Sequence, residues 1–329
     1  MKKVLCLALA LVTLMTVALS GCGASGSGNV SFGMGVYSYI SEANSATADK
    51  DGNAKVTSNV AAVLLDRSGK IIDADLDVAD CTVGFTKDGK AVQVGEFKTK
   101  YELGDDYGMK AYANATKEWY EQADAFLALV KGKTLREVKA LVATNGKGND
   151  DVINAGCTIV ISDFVKALEK AAVSAKRTDA DAEAKVSVGV VTAKSSAKDA
   201  TDKEAGTNEI ITTFSAVLLD SGKKVLKSVT DAVQGAVSFD NTGKTTTQKV
   251  DLETKRDKGD SYGMKAYGGA KKEWYEQADE YDKIIVGKSA DEIVKLETEN
   301  ATPGDELQKA GCTIVVSDFI KATVKALNK

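Results

Sequence analysis

Tyr107-Gly108-Met109-Lys110-Ala111-Tyr112, followed by Lys117-Glu118-Trp119-Tyr120-Glu121-Gln122-Ala123-Asp124, returns later in the same chain. The second copy reads Tyr262-Gly263-Met264-Lys265-Ala266-Tyr267 and then Lys272-Glu273-Trp274-Tyr275-Glu276-Gln277-Ala278-Asp279. Between residues 107–125 and 262–280, fifteen of nineteen positions are identical. Unrelated helices do not agree to that extent, so the chain reads as a duplication whose unit is about half its length. The 329 residues then form two domains, each long enough to bury a core of its own.

Upstream of the motif, both copies read as strands. Val30-Ser31-Phe32-Gly33-Met34-Gly35-Val36 alternates large and small residues, as does Val186-Ser187-Val188-Gly189-Val190. The stretches that follow, residues 41–53 and 193–206, are too polar to bury and read as loops or ragged strand ends. Apolar runs at Val60–Leu65 and Ala216–Leu219 lead through turns at Arg67-Ser68-Gly69-Lys70 and Ser221-Gly222-Lys223-Lys224 into a second run, which predicts a hairpin with one wet face. A further strand ends at Val83-Gly84-Phe85 and at Val237-Ser238-Phe239. Residues 96–100 and 251–255 predict a last strand that enters the motif.

Downstream the period changes. Trp119, Ala123, Phe126, Leu127 and Val130 share one helical stripe, matched by Trp274, Ala278, Tyr281 and Ile285. Gly132 and Gly287 supply helix stops, and Thr134 with Glu137 and Ser289 with Glu292 form capping boxes for the next short helix. Ser162-Asp163 and Ser317-Asp318 then open a final helix in each copy. Strands followed by helices, twice, predict an α+β protein of two tandem repeats, each a mostly antiparallel sheet of four or five strands with helices packed on one face. Repeat 1 spans 29–176, a linker 177–184, and repeat 2 185–329. The charged, alanine-rich join is expected to prolong the helix before it, since the only proline of the chain is Pro303.

Lys2 and Lys3, the uncharged run from Val4 to Leu19, and Leu19-Ser20-Gly21-Cys22 have the form of an export signal. The ending resembles the lipobox of bacterial lipoproteins, which implies cleavage after residue 21, lipidation of Cys22, and a tether over 22–28. An ordinary secretory signal and a membrane span are the alternatives, but the apolar run is slightly short for a span. The resemblance implies an extracytoplasmic protein held to the cell membrane by its N-terminal lipid. Without the signal the chain keeps 41 basic residues against 47 acidic ones, near −6, a surface that repels nucleic acid. Cys81, Cys157 and Cys312 remain, an odd number, with Cys157 and Cys312 in matching apolar settings that suit buried free thiols.

The chain contains no histidine, which removes the Ser-His-Asp triad, the Cys-His pair and histidine metal sites. No catalytic constellation and no metal site follow from the remaining residues. The candidate ligand-binding residues are those of the repeated turn: Lys100, Asp105, Tyr107 and Lys110, with Lys255, Asp260, Tyr262 and Lys265. A glycine turn entering a helix N-terminus beside lysines suits an anion; the same residues also suit a purely structural fastening of strand to helix. The structural fastening is the stronger of the two readings, and the repetition of polar positions such as Lys117, Glu118, Glu121 and Gln122 is what argues for the other, with a small ligand or a surface protein as partner. No cofactor is required by these residues.

Asp151-Val152-Ile153-Asn154-Ala155-Gly156-Cys157-Thr158, ahead of an alanine-rich helix, resembles the Ser-Gly-Ala-Thr element of the bacterial FMN-binding domain. That resemblance implies noncovalent FMN near Gly156 and Thr158 in repeat 1 and near Gly311 and Thr313 in repeat 2, and an electron-transfer lipoprotein as the alternative function. The threonine that would carry covalent flavin is Val160, or Val315, so covalent attachment is not implied.

The anchor is checked by intact mass. Protein extracted from membranes should begin at Cys22 and carry acyl mass, and Cys22→Ala should abolish that modification. A chain recovered from the cytosol with an unmodified residue 22 would sink the lipoprotein reading.

Overall fold

The computed structural model describes residues 29–92, 97–298 and 301–329; Cys22, its signal and its tether lie outside them. The first half runs β1 (Val30–Asn44), β2 (Gly52–Leu65), β3 (Ile71–Phe85), β4 (Ala91–Val92), α1 (Lys100–Leu103), α2 (Met109–Ala113), α3 (Trp119–Val130), α4 (Leu135–Lys139), α5 (Asp150–Asn154) and α6 (Ser162–Ser174). After β5 (Lys176–Thr178), the second half repeats the order. It runs β6 (Lys185–Lys198), β7 (Gly206–Leu219), β8 (Val225–Phe239), β9 (Val250–Leu252), α7 (Lys255–Lys258), α8 (Met264–Gly268), α9 (Trp274–Ile284), α10 (Ala290–Val294), α11 (Asp305–Ala310) and α12 (Ser317–Asn328). The fold is α+β with two similar halves, each an antiparallel sheet followed by helices.

The helical expectations hold in detail. Trp119, Ala123, Phe126, Leu127 and Val130 are buried against the first sheet, and Trp274, Ala278, Tyr281 and Ile285 against the second. Both short-helix capping boxes form, Thr134 with Glu137 and Ser289 with Glu292.

The expected wet sheet face is instead buried. Along β2, Val60, Ala62 and Leu64 join a core that also contains Val188, Val190, Ile210, Phe214 and Val237 of the second half, while Ala61, Val63 and Leu65 face the helices. The layers are therefore helices, sheet, sheet and helices. Apolar side chains on the inner faces leave water only by meeting each other, which is the ordinary driving force for stacking two sheets.

The contact between halves is reciprocal. Phe85 stacks on its counterpart Phe239 with ring centroids 4.6 Å apart and planes 4° from parallel. The Ala46 N–H donates to the Gly243 carbonyl (2.7 Å), and the Ala200 N–H donates to the Gly89 carbonyl (2.7 Å). Such mutual pairing is the mark of a two-fold relation.

The symmetry breaks at the sheet edges. β1 is covered on its free side by β5 and by β9, which crosses over from the second half, so the second sheet keeps three strands. The β6 edge is covered differently: the Val186 and Val188 N–H groups donate to Asp73 (3.1 Å) and Asp75 (2.9 Å). Both devices satisfy amides that would otherwise invite another strand. Two expectations change here. The join does not prolong α6, because residues 176–178 pair with β1. Within 97–100 the chain forms no strand, since Thr99 caps α1, and Glu96 lies outside the described residues.

On the outer face the last helix of each half rests directly on backbone. A Cβ at Gly35 would lie 2.2 Å from the Ala171 nitrogen, and one at Gly189 would lie 2.0 Å from the Ala322 oxygen. Small residues on both sides permit this approach. Among the described residues, no helix is long and apolar enough to cross a membrane.

Because Phe85 and Phe239 are each other's closest ring, Phe85→Ala and Phe239→Ala should each cost about 3–5 kcal/mol, and the double variant less than their sum. Chemical denaturation measures this. Full additivity would mean that the stack does not couple the halves.

Candidate functional site

The repeated stretch is built from caps. Thr99 caps α1, its side chain accepting the Glu102 N–H (3.2 Å) while Glu102 accepts the Thr99 N–H (2.8 Å). A 3₁₀ turn, Gly104–Tyr107, then ends at Gly108, whose φ of 77° is left-handed. A side chain other than glycine is strained there, and the Tyr112 ring lies against its α carbon. The second copy follows the same path: Thr254 accepts the Asp257 N–H (3.0 Å), and the turn Gly259–Tyr262, Gly263 at φ 81° and the Tyr267 ring follow.

The free amides expected at the start of α2 are already engaged. Glu118, almost fully buried, accepts the Met109 N–H (2.8 Å) and the Lys110 N–H (3.0 Å) with its two carboxylate oxygens. Glu273 does the same for Met264 (2.8 Å) and Lys265 (3.0 Å). The anion at these helix starts is thus a side chain of the protein itself. Gln122 ties α3 to the 156–160 loop: its Oε1 accepts the Thr158 N–H (2.8 Å) and hydroxyl (3.0 Å), as Gln277 does for Thr313. Glu121 completes the box at the start of α3. These polar positions therefore repeat because they hold the fold.

The candidate residues fall into separate groups. Lys100 lies beneath Tyr107 (5.2 Å) and Trp119 (5.6 Å) and pairs with Asp80 (3.2 Å). Burial pulls the Lys100 ammonium down, but Asp80 and Tyr107 outweigh it and hold the pKa above its ordinary value. Asp105 accepts the Tyr120 hydroxyl (3.2 Å), and Asp260 accepts that of Tyr275 (3.1 Å). Lys110 pairs with Glu121 (2.6 Å) and Lys265 with Glu276 (2.8 Å), on the surface where such pairs contribute little. Lys255 lies over Tyr262 (4.8 Å).

At the residues of the FMN resemblance, Lys117 crowds Gly156 and Lys272 crowds Gly311, so that an added Cβ would meet their ammonium nitrogens at 2.3 and 2.8 Å. Thr158 and Thr313 are committed to their glutamines. Burial raises the Cys157 and Cys312 thiols to about 11, which makes them inert as nucleophiles. Among the described residues, no group of three or more His, Cys, Asp or Glu is placed to hold a metal ion.

Two residues escaped the sequence reading. Tyr112 and Tyr267 are 90% and 91% exposed, at equivalent places on five-residue helices. Their recurrence within the repeated stretch was the available signal.

Beneath the motif, Asp77 accepts the Val78 N–H (2.7 Å) and the Tyr101 N–H (3.4 Å), and Asp231 accepts those of Ala232 (2.7 Å) and Arg256 (3.1 Å). Burial raises both carboxyls to about 6, against the pull of Lys329 and Thr99 on Asp77 and of Thr254 and Arg256 on Asp231.

No protein-family model matches the chain, and no solved structure matches it. A relative named chlorophenol reductase, from Desulfitobacterium hafniense, is 34% identical over 110 residues, which cover 29% of this chain and 33% of that protein. The chain thus spans a third of the length of that relative.

The buried aspartates set a pH dependence. In the native state they hold protons more tightly than in the unfolded chain, so stability should rise as pH falls through about 6 toward 5, and fall in the other direction. Each should contribute about 1 kcal/mol over that window, above the range in which Glu121 and Glu137 titrate. The double variant Asp77→Asn/Asp231→Asn should flatten the trend in melting temperature; an unchanged slope would remove these carboxyls as its cause.

Proposed function

We propose that the protein is an extracytoplasmic binding module, lipid-anchored at Cys22 and derived by internal duplication, that offers one docking face on each outer helical layer. The observation that carries this reading is the matched pair Tyr112 and Tyr267. Each ring is left in water and steadied against a left-handed glycine. Packing has no use for an aromatic group held that way, whereas binding does: a fixed tyrosine loses little entropy when a partner covers it. Lys110 and Lys265 stand on the same helices with exposed ammonium groups.

Tyr112 and Tyr267 stand on separate helices, one in each half. The bivalency suits two partner molecules, or a polymer that wraps the protein, and the gain is avidity at the membrane surface. The partner is a surface protein or ligand of the cell envelope, and the negative net charge disfavours nucleic acid.

A second reading is a noncovalent FMN-binding electron carrier, which rests on the resemblance at Gly156, Thr158, Gly311 and Thr313. Against it, the threonine and glycine of the 156–158 loop are engaged by Gln122 and Lys117.

Purified protein should be colourless, and a yellow preparation with a flavin absorption band would favour the second reading. The variant Tyr112→Ala/Tyr267→Ala, and likewise Lys110→Ala/Lys265→Ala, should lose most retention on isolated cell envelopes while melting within about 2 °C of the parent. Retention that survives all four substitutions overturns the docking faces.

A further inference from the structure

The two repeats agree in the motif but differ around its buried lysine. In repeat 1 the Lys100 ammonium has a carboxylate: Asp80 at 3.2 Å, which also takes Lys55 (3.3 Å) and the Thr57 hydroxyl (2.7 Å). Lys255 occupies the same position, first after its cap Thr254, with its ammonium 4.8 Å from the Tyr262 ring and 5.3 Å from the Trp274 ring. The residue is only 8% exposed. Strand register replaces Asp80, which faces Thr57, by Gln234, which faces Ile211. Among the described residues no carboxylate lies within ion-pair distance of Lys255.

Shape changes together with charge. Tyr37 and Tyr39, which pair with Asn59 and Thr57, correspond to Val191 and Ala193, which pair with Thr213 and Ile211. In repeat 1 the Tyr39 hydroxyl reaches Asp163 (2.7 Å), and Thr57 is buried. In repeat 2 the short side chains leave Ile211 partly exposed, although isoleucine is the more apolar residue. Glu209, beside Gln234, and Asp318 on the last helix have partners of their own: Glu209 takes Ser195 (2.7 Å) and the Gln234 amide (3.2 Å), and Asp318 takes Lys321 (3.5 Å).

An ammonium withdrawn from water without an anion is costly, and two aromatic faces recover only part of that cost. We infer that Lys255 is the anion-binding residue of a site found only in repeat 2, whose ligand is a small organic carboxylate with a flat apolar body. Repeat 1 displays the template: the Asp80 carboxylate and the Tyr39 ring occupy the places the ligand takes in repeat 2. The two halves are then alike in scaffold and unlike in binding. This deepens the binding-module reading and rests on it, but it uses residues apart from Tyr112 and Tyr267.

The chain has two tryptophans, so Trp119→Phe leaves Trp274 as reporter beside Lys255. Titration of this full-length variant with benzoate should change its emission saturably. Acetate, which lacks the ring, and benzyl alcohol, which lacks the charge, should bind roughly tenfold more weakly or worse. Gln234→Asp, which restores the carboxylate of repeat 1, and Ala193→Tyr, which restores its ring, should each abolish the response while the melting temperature is retained. No saturable response to benzoate, or one that survives Gln234→Asp or Ala193→Tyr in folded protein, overturns the site. Envelope retention should be unchanged in both variants, so this site and the tyrosine faces fail separately.

Discussion

The architecture depends on one constraint: each sheet has two apolar faces, and the helices of its own half can cover only one. Val60, Ala62 and Leu64 on one side of β2, with Ala61, Val63 and Leu65 on the other, leave no side of that strand fit for water. The remaining face is closed by the equivalent face of the other half, with Phe85 on Phe239 at the end where the four loops meet. The halves are consequently not beads on a string. Each supplies half of a shared core, and edge devices such as Asp73 and Asp75 on β6 follow from that placement.

Helices, caps and stops were legible in the sequence because their causes are local. A capping box is read from two residues three apart, and a buried stripe from spacings along one segment. The pairing of the sheets was not. An unbroken apolar run such as Val60–Leu65 signals a strand covered on both faces, and that signal competed with the alternation in the neighbouring strands, which suggests one wet face. The crossing of β9 onto β1 depends on pairing over two hundred residues apart, which no local pattern encodes. Thr99 belongs by sequence to a strand over 96–100, yet its hydroxyl and Glu102 fix it as a helix cap.

The site was legible as a position and misleading as a mechanism. Lysines beside a helix start suggested a place for an external anion, but the decisive residue, Glu118, follows the helix it serves. A carboxylate nine residues from the amide it accepts cannot be distinguished by sequence from one that faces water. The recurrence of Glu118, Glu121, Gln122 and their counterparts then needs no ligand, since each is tied to backbone groups of the fold.

Removing these fastened residues from the repeated stretch sharpens what remains. Repetition by itself cannot separate scaffold from function, because a buried clamp and an exposed contact are both held constant. Exposure separates them. Glu118 and Gln122 are repeated and buried, and their hydrogen bonds account for them; Tyr112 and Tyr267 are repeated and solvated, and no intramolecular contact requires a phenol. The converse test applies at Lys255, where the lysine repeats but its counterion does not. A buried charge whose partner has been exchanged for a neutral amide has either lost a structural role or gained a mobile anion. The surroundings decide between these. A lysine that served only the scaffold gains nothing from the replacement of two tyrosines of β1 by valine and alanine at the matching places of β6, whereas a ligand with both a charge and a flat body needs both changes at once.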